Sequence, residues 1–323
     1  MSLTLTRRSL GAAALAVPAA LTWPGAARAA GSVRLGYQKS GALVLLQQQK
    51  LLESAGMEVQ WVYFTSGPPM LEALNAGAID FAATGDTPPI FAQAAGSKLV
   101  YVAGQPMLGR YEGILVKKNA PLHTLADLRG KRVAYTKGSS GHYCLLEALT
   151  SVNLTPADIQ SVTLAPPDAA AAFAQDRVDA WSVWDPFFAV AEKSPDNRVL
   201  AYELDIGPSN RFFLARTAFA EEQPATVQAV IAAINRVAAW AKTHPAELAQ
   251  TMTQITGVPL DAEQLAATRD GYVAVPMSDA IITRQQGVAD AFFKAGVLPR
   301  PINVRDIVWK PPVTAAAAGA ASP

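Results

Sequence analysis

Short apolar runs alternate with helical patterns from Val33 onward, and the helical patterns stop on glycines. No other feature constrains the fold as much, because parallel strands joined by crossover helices need this alternation. The spacing predicts strands over 33–37, 59–64, 79–83 and 99–103, with helices over 42–55, 68–75 and 88–95 between them. Gly56, Gly77 and Gly96 follow those helices where the backbone turns left-handed, which costs glycine least. A further strand over 113–116 leads into the polar stretch KKNAPLH, which reads as the end of a first batch of units.

A second batch begins at the capping-box-like TLAD over 124–127, closed by Gly130. Strands over 132–135, 162–165 and 179–183 alternate there with helices over 140–151, 167–175 and 186–193, and a strand over 212–215 returns. Helices are predicted over 224–243, 245–256, 261–267 and 283–295, and the final VTAAAAGAASP, low in complexity, is expected to be disordered. The fold class expected is α/β with two lobes, the first (30–116 plus 213–312) interrupted by the second (117–212). A chain of 323 residues with 50% hydrophobic content can bury two such cores.

Residues 1–29 carry the pair Arg7-Arg8, an apolar run from Leu10 to Trp23 and then Ala27-Arg28-Ala29, the plan of a signal peptide with an A-x-A cleavage site. The arginine pair resembles a twin-arginine signal. Pro18 and Pro24 interrupt the run, which falls short of the roughly 20 residues that a bilayer span needs. A mature chain starting at Ala30, soluble and outside the cytoplasmic membrane, is the expectation. With 27 basic and 26 acidic residues and no long run of either sign, nothing asks for nucleic acid or an anionic membrane. The single Cys144 excludes an intrachain disulfide, and three scattered histidines, His123, His142 and His244, make a poor metal set. No metal or other cofactor is expected.

In open α/β sheets ligands collect beyond the carboxyl ends of strands, where first helical turns present free NH groups. The residues so placed are Gly36-Tyr37-Gln38, Ser66-Gly67-Pro68, the loop Thr84 to Pro89 (TGDTPP), the loop Lys137 to His142 (KGSSGH) and Trp184-Asp185-Pro186. The KGSSGH loop offers successive backbone donors and two hydroxyls with no proline to remove any, which suits an oxyanion; a plain helix cap is the competing reading. It is no nucleotide phosphate loop, since Lys137 precedes the glycines instead of following them. In TGDTPP, Pro88 and Pro89 remove two donors, leaving the Thr87 hydroxyl, two amides and the Asp86 carboxyl. Trp184 ends a strand, so its indole belongs either to the cleft or to the core. Reactive machinery is scarce: His142 and Cys144, two apart at a helix start, point to different faces, and neither G-x-S-x-G nor H-E-x-x-H occurs. A secreted binding protein explains donors without catalysts better than an enzyme does, and no catalytic residue is assigned.

The segments GYQKSGALVLLQQQKLLE, FTSGPPMLEALNAGAIDFAATGDTPPIFAQAAGSKLVYV, LADLRGKRVAYTKGSSGHYCLLEAL, DIQSVTLAPPDAAAAFAQDRVDAWSVWDPF and PINVRDIVW closely resemble the aliphatic sulfonate-binding proteins of bacterial ABC importers, close relatives of the taurine-binding ones. The resemblance runs from 33 to 309 with its motifs in register. It implies a type II periplasmic binding protein, two α/β lobes joined by a two-strand hinge, acting as a monomer that delivers a small organic sulfonate to permease subunits of an ABC transporter. By motif it puts Gln38, Gly85, Asp86, Thr87, Ser139, Ser140, Gly141, His142, Tyr143, Trp184 and Asp185 on the ligand. Sulfonate oxygens would be held between the two loops, with Trp184 over the organic tail. Taurine, a sulfate ester or nitrate is the alternative ligand, and an enzyme similar to the thiamine-pyrimidine synthesis proteins is the alternative class. Gly141, Tyr143, the pair Arg110-Tyr111 and Arg211 depart from the family pattern; a guanidinium from Arg110 or Arg211 in the cleft would shift the ligand range.

Overall fold

The computed structural model describes residues 32–205 and 210–312. The expected signal peptide and C-terminal tail lie outside the described residues. The first unit runs β1 (Ser32–Tyr37), α1 (Ala42–Gln48), α2 (Leu51–Ser54), β2 (Glu58–Tyr63), α3 (Gly67–Asn75), β3 (Phe81–Gly85), α4 (Thr87–Ala94) and β4 (Leu99–Pro106). The second runs β5 (Glu112–Lys117), β6 (Arg132–Tyr135), α5 (Ser140–Ser151), β7 (Gln160–Thr163), α6 (Pro166–Ala174), β8 (Ala180–Trp184), α7 (Phe187–Lys193) and β9 (Asn197–Tyr202). The chain returns as β10 (Asn210–Arg216) and continues through α8 (Thr217–Glu222), α9 (Pro224–Thr243), α10 (Pro245–Thr256), α11 (Leu260–Arg269) and α12 (Asp279–Lys294).

Two five-stranded sheets result, in the orders β2-β1-β3-β10-β4 and β7-β6-β8-β5-β9. In each, three parallel strands are followed by an antiparallel one that has arrived from the other lobe, β10 in the first and β5 in the second. The lobes also share an internal clasp. Asp80 accepts from the Arg34 guanidinium at 2.7 and 2.8 Å just before β3, and Asp179 accepts from Arg132 at 2.7 and 3.2 Å just before β8. In both, the arginine lies on the first parallel strand of its sheet. The core of the first lobe forms where α9 lays Val227, Val230, Ile234 and Val237 on the buried Leu43 to Leu46 of α1 and on β1.

The α/β class and the two lobes agree with expectation, but the crossovers fall elsewhere. β5, expected in the first lobe, pairs with β8 and β9 in the second sheet, and β10 enters the first sheet at Asn210 rather than 213. The crossings are therefore the stretch between Pro106 and Glu112 and the one between Tyr202 and Asn210. KKNAPLH is a turn at the far end of β5. Every residue from Glu112 to Val116 is buried, so hydrophobicity suits either sheet and cannot say which. β9 is absent from the expectation because each of its residues is half-buried and shows no alternation. The helix expected over 42–55 breaks into α1 and α2 at Lys50, whose φ is 49°.

Candidate functional site

The ends of β3 and β6 meet across the lobes, each followed by a first helical turn. A Cβ at Gly85 would lie 3.0 Å from Ser140 Cβ and 3.1 Å from its Oγ, so the two expected jaws touch. Asp86 and Thr87, which start α4, are buried. Thr87 Oγ1 donates to Asp86 Oδ1 at 2.8 Å while Oδ2 has no partner, and burial pushes the Asp86 carboxyl up to about 7. Opposite, Ser139 caps α5: its Oγ accepts from His142 N at 3.3 Å and donates to Thr136 O at 2.6 Å. The amides of Ser140 and Gly141 sit in the first turn, where a helix offers no acceptor, at the positive end of the dipole. This jaw is the anion-ready one. TGDTPP, with prolines following Thr87, brings a hydroxyl and a carboxyl instead.

Beneath Ser140 lies Glu112, paired in register with Trp184, fully buried and with neither oxygen partnered. Glu112 is not among the expected site residues, although a carboxylate heading the otherwise apolar EGILV directly after a crossover is a signal for it. Trp184 is buried too and packs with Tyr111 and Phe188, so its indole belongs at least partly to the second core. Gln38, half-buried, follows β1 in a tight turn bridged to Ser40.

Three expected residues turn their Cβ directions away from the jaws, although the Gly141 amide stays in the first turn of α5. Gly141 backs onto β8, where a Cβ would come within 3.0 Å of Ser182 O, and Ser182 Oγ donates to Gly141 O at 2.7 Å. Its lack of a side chain is thus a packing requirement between α5 and the sheet. His142 is stacked on Tyr135 at 4.7 Å and faces Phe292 and Phe91 of the other lobe at 5.0 and 6.4 Å; Nδ1 accepts from Gly138 N at 3.2 Å. Tyr143 packs on Phe292 at 5.9 Å. These rings form the outer seam of the closed lobes.

Burial, with Lys137 nearby, lowers His142 to about 4. Since the ordinary value is about 6.5, the seam is fully stable above that pH and weakens as pH falls through 6.5 toward 4, by at most about 1.4 kcal/mol per unit. Ligand affinity measured by intrinsic fluorescence should therefore fall several-fold between pH 6.5 and 5, and His142→Asn, which keeps an acceptor for Gly138, should flatten that limb. An equal fall in the variant would remove His142 from the seam's proton linkage.

Asp185 leads to the other end of the cleft. Its Oδ1 accepts from Ala189 N at 2.9 Å, and both oxygens lie 3.4–3.5 Å from Arg269 Nη1. Burial outweighs the arginine and lifts the Asp185 carboxyl to about 7. Arg269 Nη2 also donates to Glu192 Oε2 at 2.5 Å. Arg269 ends α11 in the first lobe and both acids belong to the second, so this network clasps the lobes together. Beside it, Arg211 bonds Asp270 at 2.8 Å and lies 5.3 Å over the Tyr111 ring. The cavity there holds about 20 Å³ between Ser40, Tyr111, Asp185, Arg211 and Tyr272, room for about one water. Of the two departing arginines, Arg211 faces the cleft; Arg110 pairs with Asp205 in solvent. Among the described residues no acidic, His and Cys cluster could hold a metal, and no helix is long and apolar enough to cross a membrane.

Two mixed α/β lobes, crossed twice by the chain and shut on each other, define a periplasmic binding protein fold. The chain belongs to the NMT1/THI5-like family, whose model matches residues 40–248. It is 40% identical to the aliphatic sulfonates-binding protein of Escherichia coli (strain K12) over 286 residues, 87% of this chain and 89% of that one. The structure of the alkanesulfonate-binding protein SsuA from Xanthomonas axonopodis pv. citri bound to MOPS matches with a TM-score of 0.83 at 38% identity, over 86% of this chain and 98% of that one. The periplasmic aliphatic sulphonate binding protein SsuA from Escherichia coli matches with a TM-score of 0.79 at 38% identity, over 88% and 93%.

Proposed function

We propose that this chain captures alkane or aryl sulfonates in the periplasm by lobe closure and presents them, as a monomer, to the permease of an ABC importer for sulfur acquisition, having been exported by residues 1–29 through the twin-arginine route. It is a binding protein and not an enzyme, as its relatives are. The observation that carries the ligand class is the first turn of α5, whose free amides and Ser140 hydroxyl face Gly85 to Thr87 from the opposite lobe. A sulfonate lodged there would have its oxygens bound by NH and OH donors from both lobes, so it favours the closed form and shifts the equilibrium toward it.

The mature protein should show a rise in melting temperature with short-chain sulfonates. At 100 times the dissociation constant the stabilisation is about 2.7 kcal/mol, readily seen by scanning fluorimetry. Sulfonate buffers such as MES and HEPES must be left out. A panel of alkanesulfonates, sulfate esters, nitrate and taurine that leaves the melting temperature at its buffer value would end the receptor reading.

A further inference from the structure

A sulfonate carries no proton at neutral pH, so every oxygen it presents is an acceptor, and a cleft that holds it must offer donors. Glu112 appears at first to violate this. It opens β5 opposite Trp184, and the next pair on the same face, Ile114 with Ser182, meets α5 through the bond from Ser182 Oγ to Gly141 O. Side chains two apart share a strand face, so Glu112 projects toward the first turn of α5. There it is 0% exposed with neither oxygen in a hydrogen bond of normal geometry, and the Ser140 hydroxyl is the polar side chain that interacts with it.

The surroundings decide its protonation. Burial first, then Glu203 just after β9 and Asp86 at the head of α4, raise its carboxyl well above the usual range. Arg211 on β10 opposes this only weakly and is already bound to Asp270. Tyr111 and Cys144, also close, are held neutral by burial and supply no cation. A bare carboxylate would have neither solvent nor a counter-ion here.

We propose that Glu112 is a ligand-binding residue that meets the sulfonate as a carboxylic acid, donating its O–H to an oxygen held at the first turn of α5. This rests on the sulfonate reading and adds to it a residue and a proton linkage: ligand binds the protonated cleft, and above the ionisation of Glu112 each binding event takes up one proton.

The test is calorimetric titration of the mature protein with propane-1-sulfonate from pH 7 to 10 in sulfonate-free buffers, together with the infrared carbonyl band of protonated carboxyls. Wild-type affinity should fall at alkaline pH, approaching about tenfold per unit, because the bound form retains a proton that the free form loses. Glu112→Gln keeps a donor, so it should bind within about threefold at pH 7, with that alkaline fall removed, while Glu112→Ala should lose about tenfold or more. Asp86→Asn should keep the alkaline fall. A protonated-carboxyl band should shift on ligand addition in wild type and be missing from Glu112→Gln. The proposal is overturned if the wild-type profile is flat or rises with pH, the latter marking a carboxylate that reads an ammonium. It is equally overturned if Glu112→Gln keeps the fall, if Asp86→Asn alone removes it, or if Glu112→Ala binds like wild type. A wild-type protein that binds no sulfonate at pH 7 is a separate outcome and overturns the sulfonate reading itself.

Discussion

Replacing Arg269 by methionine should weaken sulfonate binding roughly 30- to 160-fold, corresponding to about 2–3 kcal/mol, with little change in the melting temperature of the ligand-free protein. Methionine keeps the apolar stem and removes the charge. Arg269 reaches from the end of α11 to Asp185 and Glu192, so in the closed form its loss leaves Glu192 without its 2.5 Å partner where only 17% of that side chain is exposed. In the parted form the same acids regain water, and the penalty falls on closure. Breaking a fully buried pair costs more; the loss is smaller here because Glu192 is partly wet and Asp185, at about 7, is only partly ionised at neutral pH. Calorimetry would give the affinity and small-angle scattering the closed fraction. Arg269→Met and Glu192→Gln should be strongly non-additive, since each removes the same bond. A loss under threefold, or independent effects, would show that the clasp persists in the open form and contributes nothing to closing.

Much of the scaffold is legible in the chain because local rules suffice for it. Glycines past helices, prolines at helix starts and short apolar runs place the parallel strands and their crossovers with errors of a few residues. The lobe boundary is not legible for a physical reason: EGILV is buried wherever it goes, and only its pairing with Ala180 to Trp184 assigns it to the second sheet. β9 escapes because its half-buried residues carry no period-two signal. The matching clasps Arg34–Asp80 and Arg132–Asp179 make the two sheets variations on one unit, yet the arginines and aspartates lie 46 and 47 residues apart and no short repeat marks them.

The site divides in the same way. Gly85, Asp86, Thr87, Ser139 and Ser140 come together as their loops suggest, because a residue following a strand in an open sheet has nowhere else to go. Past Ser140 in α5, sequence adjacency misleads about side chains. A helix rotates about 100° per residue, so Gly141 turns to the sheet and His142 and Tyr143 turn to Phe292, away from the jaws. Glu112, Arg211 and Arg269 reach the cleft through the crossovers and through α11, whose placement depends on tertiary packing. Their charges are ordinary in the sequence and become informative only when they are buried.

Gly85→Val should abolish binding, by more than about a hundredfold, without unfolding the protein, because it blocks the approach of the jaws and nothing else. Gly85 does not need glycine's backbone freedom, since its φ is outside the left-handed region, and it ends a strand, where valine is well accommodated. With the lobes parted, its added methyls would meet only water. With the lobes closed, a Cβ alone sits 3.0 Å from Ser140 Cβ and 3.1 Å from Oγ, and two γ-carbons would be driven further into Ser140. The ligand-free melting temperature should therefore move by no more than about 2 °C, consistent with a change of a few tenths of a kcal/mol. Ser140→Gly distinguishes steric obstruction from damage to the site. Alone it should weaken binding, since it removes a proposed donor, but added to Gly85→Ala it should recover part of the affinity that the alanine costs, because the obstructing Cβ and Oγ are gone. A double variant that is simply additive would place the ligand-bound jaws further apart than they are here, and full binding by Gly85→Val would mean that the ligand is held without this contact.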